Sequence, residues 1–301
     1  MARRSMRLVE YGKPFQLTNE EVPTAPKGGA VVKTDYAGVC HSDLHGADGD
    51  FGPFIPLQVI LGHEIAGTVH DVDPSADFKV GDRVMVYWTG GCGECKRCEV
   101  GQPPACLKNV KHWAGITEDG GFSDYVIVPD VRLLVKVPDT VAMDTACLLP
   151  CSALTAYNTV CTIVPTVQDF AKYSVDDDTA VAAAKEVCGD LGAVAAIDFV
   201  NAPSTFERLQ KMIAEGGIHA LVGFFGVDAP AAVPLMPFVV NRHTITGVII
   251  GSLPQLRELT ALVAQGKVKP PPISHHPLED VYDVMQGLKA GKVKGRAVVK
   301  F

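Results

Sequence analysis

Within eight residues, Gly38-Val39-Cys40-His41-Ser42-Asp43-Leu44-His45, the chain places a thiol, two imidazoles, a hydroxyl and a carboxylate. A thiolate holds a soft or borderline metal, a hydroxyl and an imidazole move a proton, and a carboxylate can orient a second ligand from behind. Taken alone, the octet also reads as a polar loop with one buried cysteine. His63 and Cys151 argue for chemistry. His63 precedes Glu64 between Gly62 and Gly67, and Cys151 opens the helical segment Cys151-Ser152-Ala153-Leu154-Thr155, where a helix start favours a thiolate. Cys147, in an apolar run, reads as a core thiol. Cys40, His63 and Cys151 form the Cys2His donor set of a catalytic zinc whose fourth position is left for water or substrate.

Cys92, Cys95, Cys98 and Cys106 follow a C-x2-C-x2-C-x7-C spacing. Four thiolates so close suit one tetrahedral zinc with no open position, a structural site. An iron–sulfur cluster also uses C-x2-C-x2-C but places its fourth cysteine sooner, next to a proline. Disulfides are the remaining reading.

The elements that must position these residues are strands first. Met6–Val9, Phe15–Leu17 and Ala30–Thr34 are short strands broken by Pro and Gly, which is β-rich, barrel-like material. Strands are also expected to meet at His63, and Val80–Val86 and Tyr125–Val128 continue the pattern. A helix is expected over Ser152–Val160. Beyond it, strands are expected at Ala195–Val200, Ala220–Gly226 and Thr244–Ile250, with helices at Thr205–Glu215, Leu256–Ala264 and Pro277–Lys289.

The chain has 301 residues, 47% of them hydrophobic, enough for two domains with separate cores. A net charge of -7 gives no electrostatic case for nucleic acid or an anionic membrane. The basic start Met1-Ala2-Arg3-Arg4-Ser5 is not followed by an apolar signal region, and no later run could span a bilayer, so a cytoplasmic protein is expected. Nine cysteines, four of them in one segment, favour metal ligation in a reducing compartment.

These residues resemble the medium-chain zinc-dependent alcohol dehydrogenases. The likeness rests on the octet, Gly62-His63-Glu64, the four-cysteine lobe, Cys151 with Thr155, and the ending Gly295-Arg296-Ala297-Val298-Val299. It covers nearly all of residues 1 to 160 and about 176 to 301. The resemblance implies an α/β plus β fold, with a GroES-like β-barrel catalytic domain over 1–152 and a truncated Rossmann-like parallel-sheet domain over 153–268. Residues 269–301 then return to the catalytic domain. It implies two zinc ions per chain, with Glu64 close behind the catalytic zinc and Asp43 hydrogen-bonded to His63. Ser42 and His45 would pass the alcohol's proton to solvent, while hydride goes to NAD or NADP. His41 and Arg296 match positions that contact cofactor phosphates, and Thr155 one that packs near nicotinamide. Gly223 falls on the nicotinamide side. Phe51 and Trp88 match aromatics of the substrate pocket, with Tyr87 the alternative should the register slip by one. The strand Thr244–Ile250 resembles one that joins subunits, so a homo-oligomer acting on a small-molecule alcohol or aldehyde is expected.

One departure from the family pattern is large. The sequence contains no G-x-G-x-x-G turn, and only Cys161–Tyr173 separates the helix after Cys151 from the next recognisable piece. A βαβ unit needs 30 or so residues, so most of the first mononucleotide half is absent. Val160–Val164 could supply one strand at most. An ungapped alignment makes Asp176–Glu186 the helix before the Ala195 strand; another makes Asp176 the ribose carboxylate. A redox-inactive zinc-binding scaffold, or a coding region that lost a segment, are the competing readings.

Overall fold

The computed structural model describes residues 2–163, 178–189, 191–224 and 230–301. The chain forms two compact units, Met1–Leu154 with Ile250–Phe301, and Thr155–Ile249. Residues 250–268, which the sequence reading groups with the nucleotide domain, count with the first unit.

In the first unit β1 (Ala2–Arg7) pairs antiparallel with β2 (Gln16–Glu21). Strand β3 (Ala30–Gly38) leads into α1 (His41–Asp48), and β4 (Glu64–Val72) runs back antiparallel to β3. Then come β5 (Arg83–Val86), β6 (Thr89–Gly90), α2 (Lys96–Glu99), β7 (His112–Trp113), β8 (Tyr125–Val128), β9 (Leu134–Lys136) and α3 (Met143–Ala146). Ala30, Val31, Val32 and Ala37 of β3 are fully buried, as a central strand covered on both faces requires. The strand expected before His63 reduces to an isolated bridge between Ile60 and Arg7.

The second unit takes up α4 (Leu154–Ile163), α5 (Asp178–Cys188), β10 (Ala193–Asp198), α6 (Pro203–Gln210), β11 (Ile213–Leu221), α7 (Leu235–Val240) and β12 (Thr244–Gly247). Among the described residues its sheet has the order β10-β11-β12, all parallel, with Ile163, Ala220 and Val248 as its buried cluster. Cys161, Thr162 and Ile163, weighed above as part of a strand, close α4, where the Thr159 and Thr162 hydroxyls bond back to carbonyls one turn earlier. Val164 and Asp176 lie outside the described residues. The helix expected to Glu215 stops at Gln210, and the strand expected from Ala220 begins at Ile213. Gly216 and Gly217 favour a bulged strand over a helix there.

The chain then re-enters the first unit with α8 (Leu253–Ala264), β13 (Ile273–His276), α9 (Val281–Lys289) and β14 (Arg296–Lys300). Helix α8 starts three residues before the expected Leu256, because Ser252 and Gln255 form a capping box. The large sheet has the order β13-β14-β3-β4-β5-β9, with β8 also on β3. It is a mixed, open sheet; among the described residues its strands do not close into the expected barrel.

Asp198 ends β10 and is 3% exposed. Its carboxylate accepts from Val200 N at 2.9 Å, Asn201 N at 2.8 Å and Thr205 Oγ1 at 2.7 Å, tying the strand to the start of α6. Asp198→Ala is expected to destabilise the second unit by about 1–2 kcal/mol, since three part-buried donors lose a charged, buried acceptor. Amide exchange at Val200 and Asn201 should rise at least about tenfold with that loss, as hydrogen-exchange mass spectrometry would show.

Candidate metal centres and active site

The β3–β4 register pairs Gly38 with Glu64. Cys40, two residues after Gly38, and His63, one before Glu64, are thereby brought to the same end of the β3–β4 pair. A side chain at Gly38 would run into the Glu64 carboxylate, with Oε2 2.0 Å from an added Cβ, so only glycine lets that carboxylate lie there. Cys151 arrives from the other side, in a π-turn over Leu149–Ala153 between α3 and α4. The ligand atoms of Cys40, His63, Glu64 and Cys151 all lie within 4.8 Å of one another, and His63 Nε2 is 3.2 Å from Cys151 Sγ.

Asp43 holds this arrangement from beneath. Fully buried, it accepts from Cys40 N at 2.9 Å and Gly62 N at 3.1 Å, and lies 2.9 Å from His63 Nδ1. A carboxylate only accepts, so His63 carries a hydrogen on Nδ1 and turns Nε2 toward the two sulfurs. A hydrogen bond from the Cys151 thiol, against the effect of burial, brings Cys40 well below the usual thiol range. Cys151 is pushed well up, by that shared hydrogen bond and by burial.

Burial raises the Glu64 carboxyl, and Arg296 opposes it. The Arg296 guanidinium meets Glu64 Oε2 at 2.5 Å and Val39 O at 3.2 Å. His41 is lowered by burial. Ser42 Oγ lies 3.9 Å from Cys40 Sγ, and His45 is one turn further along the same helix, without a hydrogen bond between Ser42 and His45 among the described residues. Of the two aromatic candidates, Trp88 stands edge-on to His63 with ring centroids 4.9 Å apart, whereas the Tyr87 hydroxyl donates to Gly251 O at 2.7 Å. Phe51 lies edge-on to His45 at 6.0 Å. Thr155 and Gly223 belong to the second unit and are not part of this cluster. Gly223 is a packing glycine, because an added Cβ would meet Phe199 O at 2.1 Å.

Two residues escaped the sequence reading. Trp113 packs edge-on to Trp88 at 5.7 Å, and nothing in its spacing announces this. Asp50 meets His45 Nδ1 at 2.6 Å; its signal was an acidic residue just past a helix-ending glycine.

Cys92, Cys95, Cys98 and Cys106 form the second cluster, their sulfurs also within 4.8 Å of one another. Cys95 and Cys98 are 3.5 Å apart and Cys92 and Cys98 3.9 Å, far beyond a disulfide bond. A tetrahedral zinc with 2.3 Å bonds has S···S edges of about 3.8 Å, a size that suits one ion. Backbone N–H groups of Cys98 and Leu107 bring Cys95 down to about 6, whereas burial pushes Cys98 up to about 12.

Residues 26–139 match the alcohol dehydrogenase GroES-like domain, and residues 168–265 match the zinc-binding dehydrogenase domain. An NAD-dependent alcohol dehydrogenase of Sulfurisphaera tokodaii is 31% identical, covering 98% of this chain and 99% of the relative. That alignment runs over 350 residues, more than the 301 of this chain, so the relative carries residues with no counterpart here. An alcohol dehydrogenase of Geobacillus stearothermophilus is 29% identical, with 97% of each chain covered. The fold is that of the crystal structure of an Aeropyrum pernix alcohol dehydrogenase, with a TM-score of 0.90 at 24% identity over 99% of this chain and 100% of that one.

Asp43→Ala would strip acceptors from Cys40 N, Gly62 N and His63 Nδ1. It is expected to weaken metal binding at the Cys40–His63–Cys151 cluster by about ten- to a hundredfold. Competition with a chelator, followed metal by metal, would measure this, and the four-cysteine cluster should keep its affinity.

Proposed function

Because the chain belongs to the zinc-binding dehydrogenases with an alcohol dehydrogenase GroES-like domain, we propose that it interconverts a small-molecule alcohol and its aldehyde or ketone at a zinc site made by Cys40, His63 and Cys151. Family membership favours this reading over a redox-inactive scaffold. The observation that carries it is the convergence of two thiols and an oriented imidazole on one buried point.

The donor set fits the metal: two sulfurs and one imidazole nitrogen are borderline-soft ligands suited to zinc, and three ligands leave a position open. Zinc, when bound, supplies Lewis acidity toward an alcohol or carbonyl oxygen. The remaining work falls to the chain's own residues. Asp43 fixes the His63 tautomer. Trp88 shields one side of the His63 ring from water. Glu64 brings a carboxylate whose charge Arg296 offsets, so the two thiols do not face an unpaired anion. Ser42 offers a hydroxyl that can hold and pass a proton, and His45 is the imidazole through which it leaves. The four-cysteine cluster, with all four positions taken by protein, serves as a second, structural zinc site.

NAD or NADP is the family's hydride acceptor. In this chain the glycine-rich turn that cradles a dinucleotide pyrophosphate is missing from the sequence. His41, Thr155, Gly223 and Arg296 remain the proposed cofactor contacts on family likeness, with Arg296 already engaged by Glu64.

The chain is proposed to self-associate through its second unit. Leu235, Met236, Val239 and Val240 of α7 are 65–78% exposed, and β12 presents a free sheet edge among the described residues. No helix among the described residues is long and apolar enough to cross a membrane. A reducing cytoplasm is the compartment proposed for a chain with nine cysteines and two thiol clusters.

Elemental analysis of the purified protein is expected to give two zinc ions per chain. His63→Ala or Cys40→Ser should remove one of them and lower alcohol-dependent NAD or NADP reduction by at least about a thousandfold, while the four-cysteine site stays loaded. Unchanged turnover in His63→Ala would overturn the assignment. Light scattering should find an oligomer, and Val239→Glu should shift it toward the monomer.

A further inference from the structure

Helix α1 ends in a way that does more than stop it. Gly49 takes the left-handed conformation at φ 86°, Gly49 N bonds to Gly46 O at 3.2 Å, and Asp50 N bonds to His45 O at 2.9 Å. An added Cβ at Gly49 would meet the Tyr11 ring at 2.9 Å, so the turn is built for glycine. Its effect is to fold the chain back over the helix's own last turn. Asp50 then binds His45 twice, once by its backbone N–H and once by its carboxylate, whose Oδ2 is 2.6 Å from His45 Nδ1. The next residue, Phe51, sets its ring against the edge of the same imidazole at 6.0 Å. His45 Nε2 has no hydrogen-bond partner among the described residues, and the side chain is 21% exposed. One ring nitrogen is clamped and the other left open.

The geometry points to Asp50 as a positioning residue for proton transfer: it locks His45 in the tautomer with hydrogen on Nδ1, so that Nε2 is the atom that takes up and passes on the proton. This rests on the reading of His45 as the outlet for the alcohol's proton. A carboxylate accepts and does not donate, so a neutral His45 bound to it must carry its hydrogen on Nδ1. A proton reaching Nε2 then makes an imidazolium beside the Asp50 carboxylate. Loss of that same Nε2 proton to water restores the neutral ring, with Nδ1–H and the carboxylate unchanged. In the opposite tautomer Nε2 already bears a hydrogen and accepts nothing. The chain uses the same device at His63, where Asp43 takes Nδ1 and leaves Nε2 to face the sulfurs. The His112–Glu118 pair, with Nδ1 at 2.6 Å from the carboxylate, supplies an internal reference away from the site.

The experiment is 15N-histidine NMR on the zinc-loaded full chain, using two-bond couplings to tell the tautomers apart, alongside steady-state alcohol oxidation. In the unaltered protein neutral His45 should be the Nδ1–H form. Asp50→Asn, whose amide can donate to Nδ1, should move His45 toward Nε2–H and lower kcat by about ten- to a hundredfold with KM unchanged, while His112 keeps its signal. Asp50→Glu should restore the tautomer and most of kcat. An Nε2–H tautomer in the unaltered protein, or Asp50→Asn with tautomer and kcat both unchanged, would overturn the proposal. If the tautomer switches as expected but His45→Gln turns over at the full rate, it is the proton route through His45 that fails.

Discussion

The first unit depends on a buried carboxylate. Asp43 has no access to water, and its oxygens are answered by Cys40 N, Gly62 N and His63 Nδ1. Those partners come from the two chain segments that flank the β3–β4 pair, so one side chain joins the exit of β3 to the entry of β4. Burying a carboxylate is unfavourable unless charge and hydrogen bonds are returned to it, and breaking such a buried pair costs about 3–5 kcal/mol. The same bonds that make Asp43 tolerable also set the direction of His63. Stability and ligand orientation therefore draw on a single set of contacts.

The residues of the metal clusters were legible in the sequence because their chemistry is short-range. The Cys40–Asp43 spacing lies within one helical turn, and the four cysteines from Cys92 to Cys106 need only a compact loop to meet. The pairing of His63 with Cys40 needs the β3–β4 register, which the sequence does not fix, because both strands are buried in near-continuous runs rather than in alternation. What the sequence concealed is tertiary. Nothing in Leu149-Pro150-Cys151 signals a π-turn rather than a helix start. The barrel expected from strand content is an open mixed sheet, since composition reports the number of strands and not their closure. Trp113 becomes visible only once the β6–β7 pairing sets it beside Trp88.

In the second unit, local signals were legible and lengths were not. Strand β10 and the beginning of α6 follow the pattern, whereas the end of α6 and the start of β11 are decided by Gly216 and Gly217 and by parallel pairing with β10. Its three described strands leave many apolar side chains at the surface, among them Phe199, Phe224, Leu235 and Val239. A parallel sheet is ordinarily covered on both faces, and these exposed groups are what the proposed self-association rests on.

The two halves of the proposed reaction make different demands on the chain. Every residue of both metal clusters, the Asp43 support, the Glu64–Arg296 pair and the His45–Asp50 pair lies in the first unit. Their positions follow from the β3–β4 register, from α1 and its glycine turn, and from β14 beside β3, none of which uses a strand of the second unit. The support of Cys40 and His63 is therefore independent of the number of strands that bind a dinucleotide, whereas Cys151 sits in a π-turn that continues into α4. Histidine tautomers then report on the first unit alone, while turnover reports on both. The loss of a glycine turn elsewhere in the sequence is a statement about hydride acceptance, and it carries no implication for how Cys40 and His63 are held.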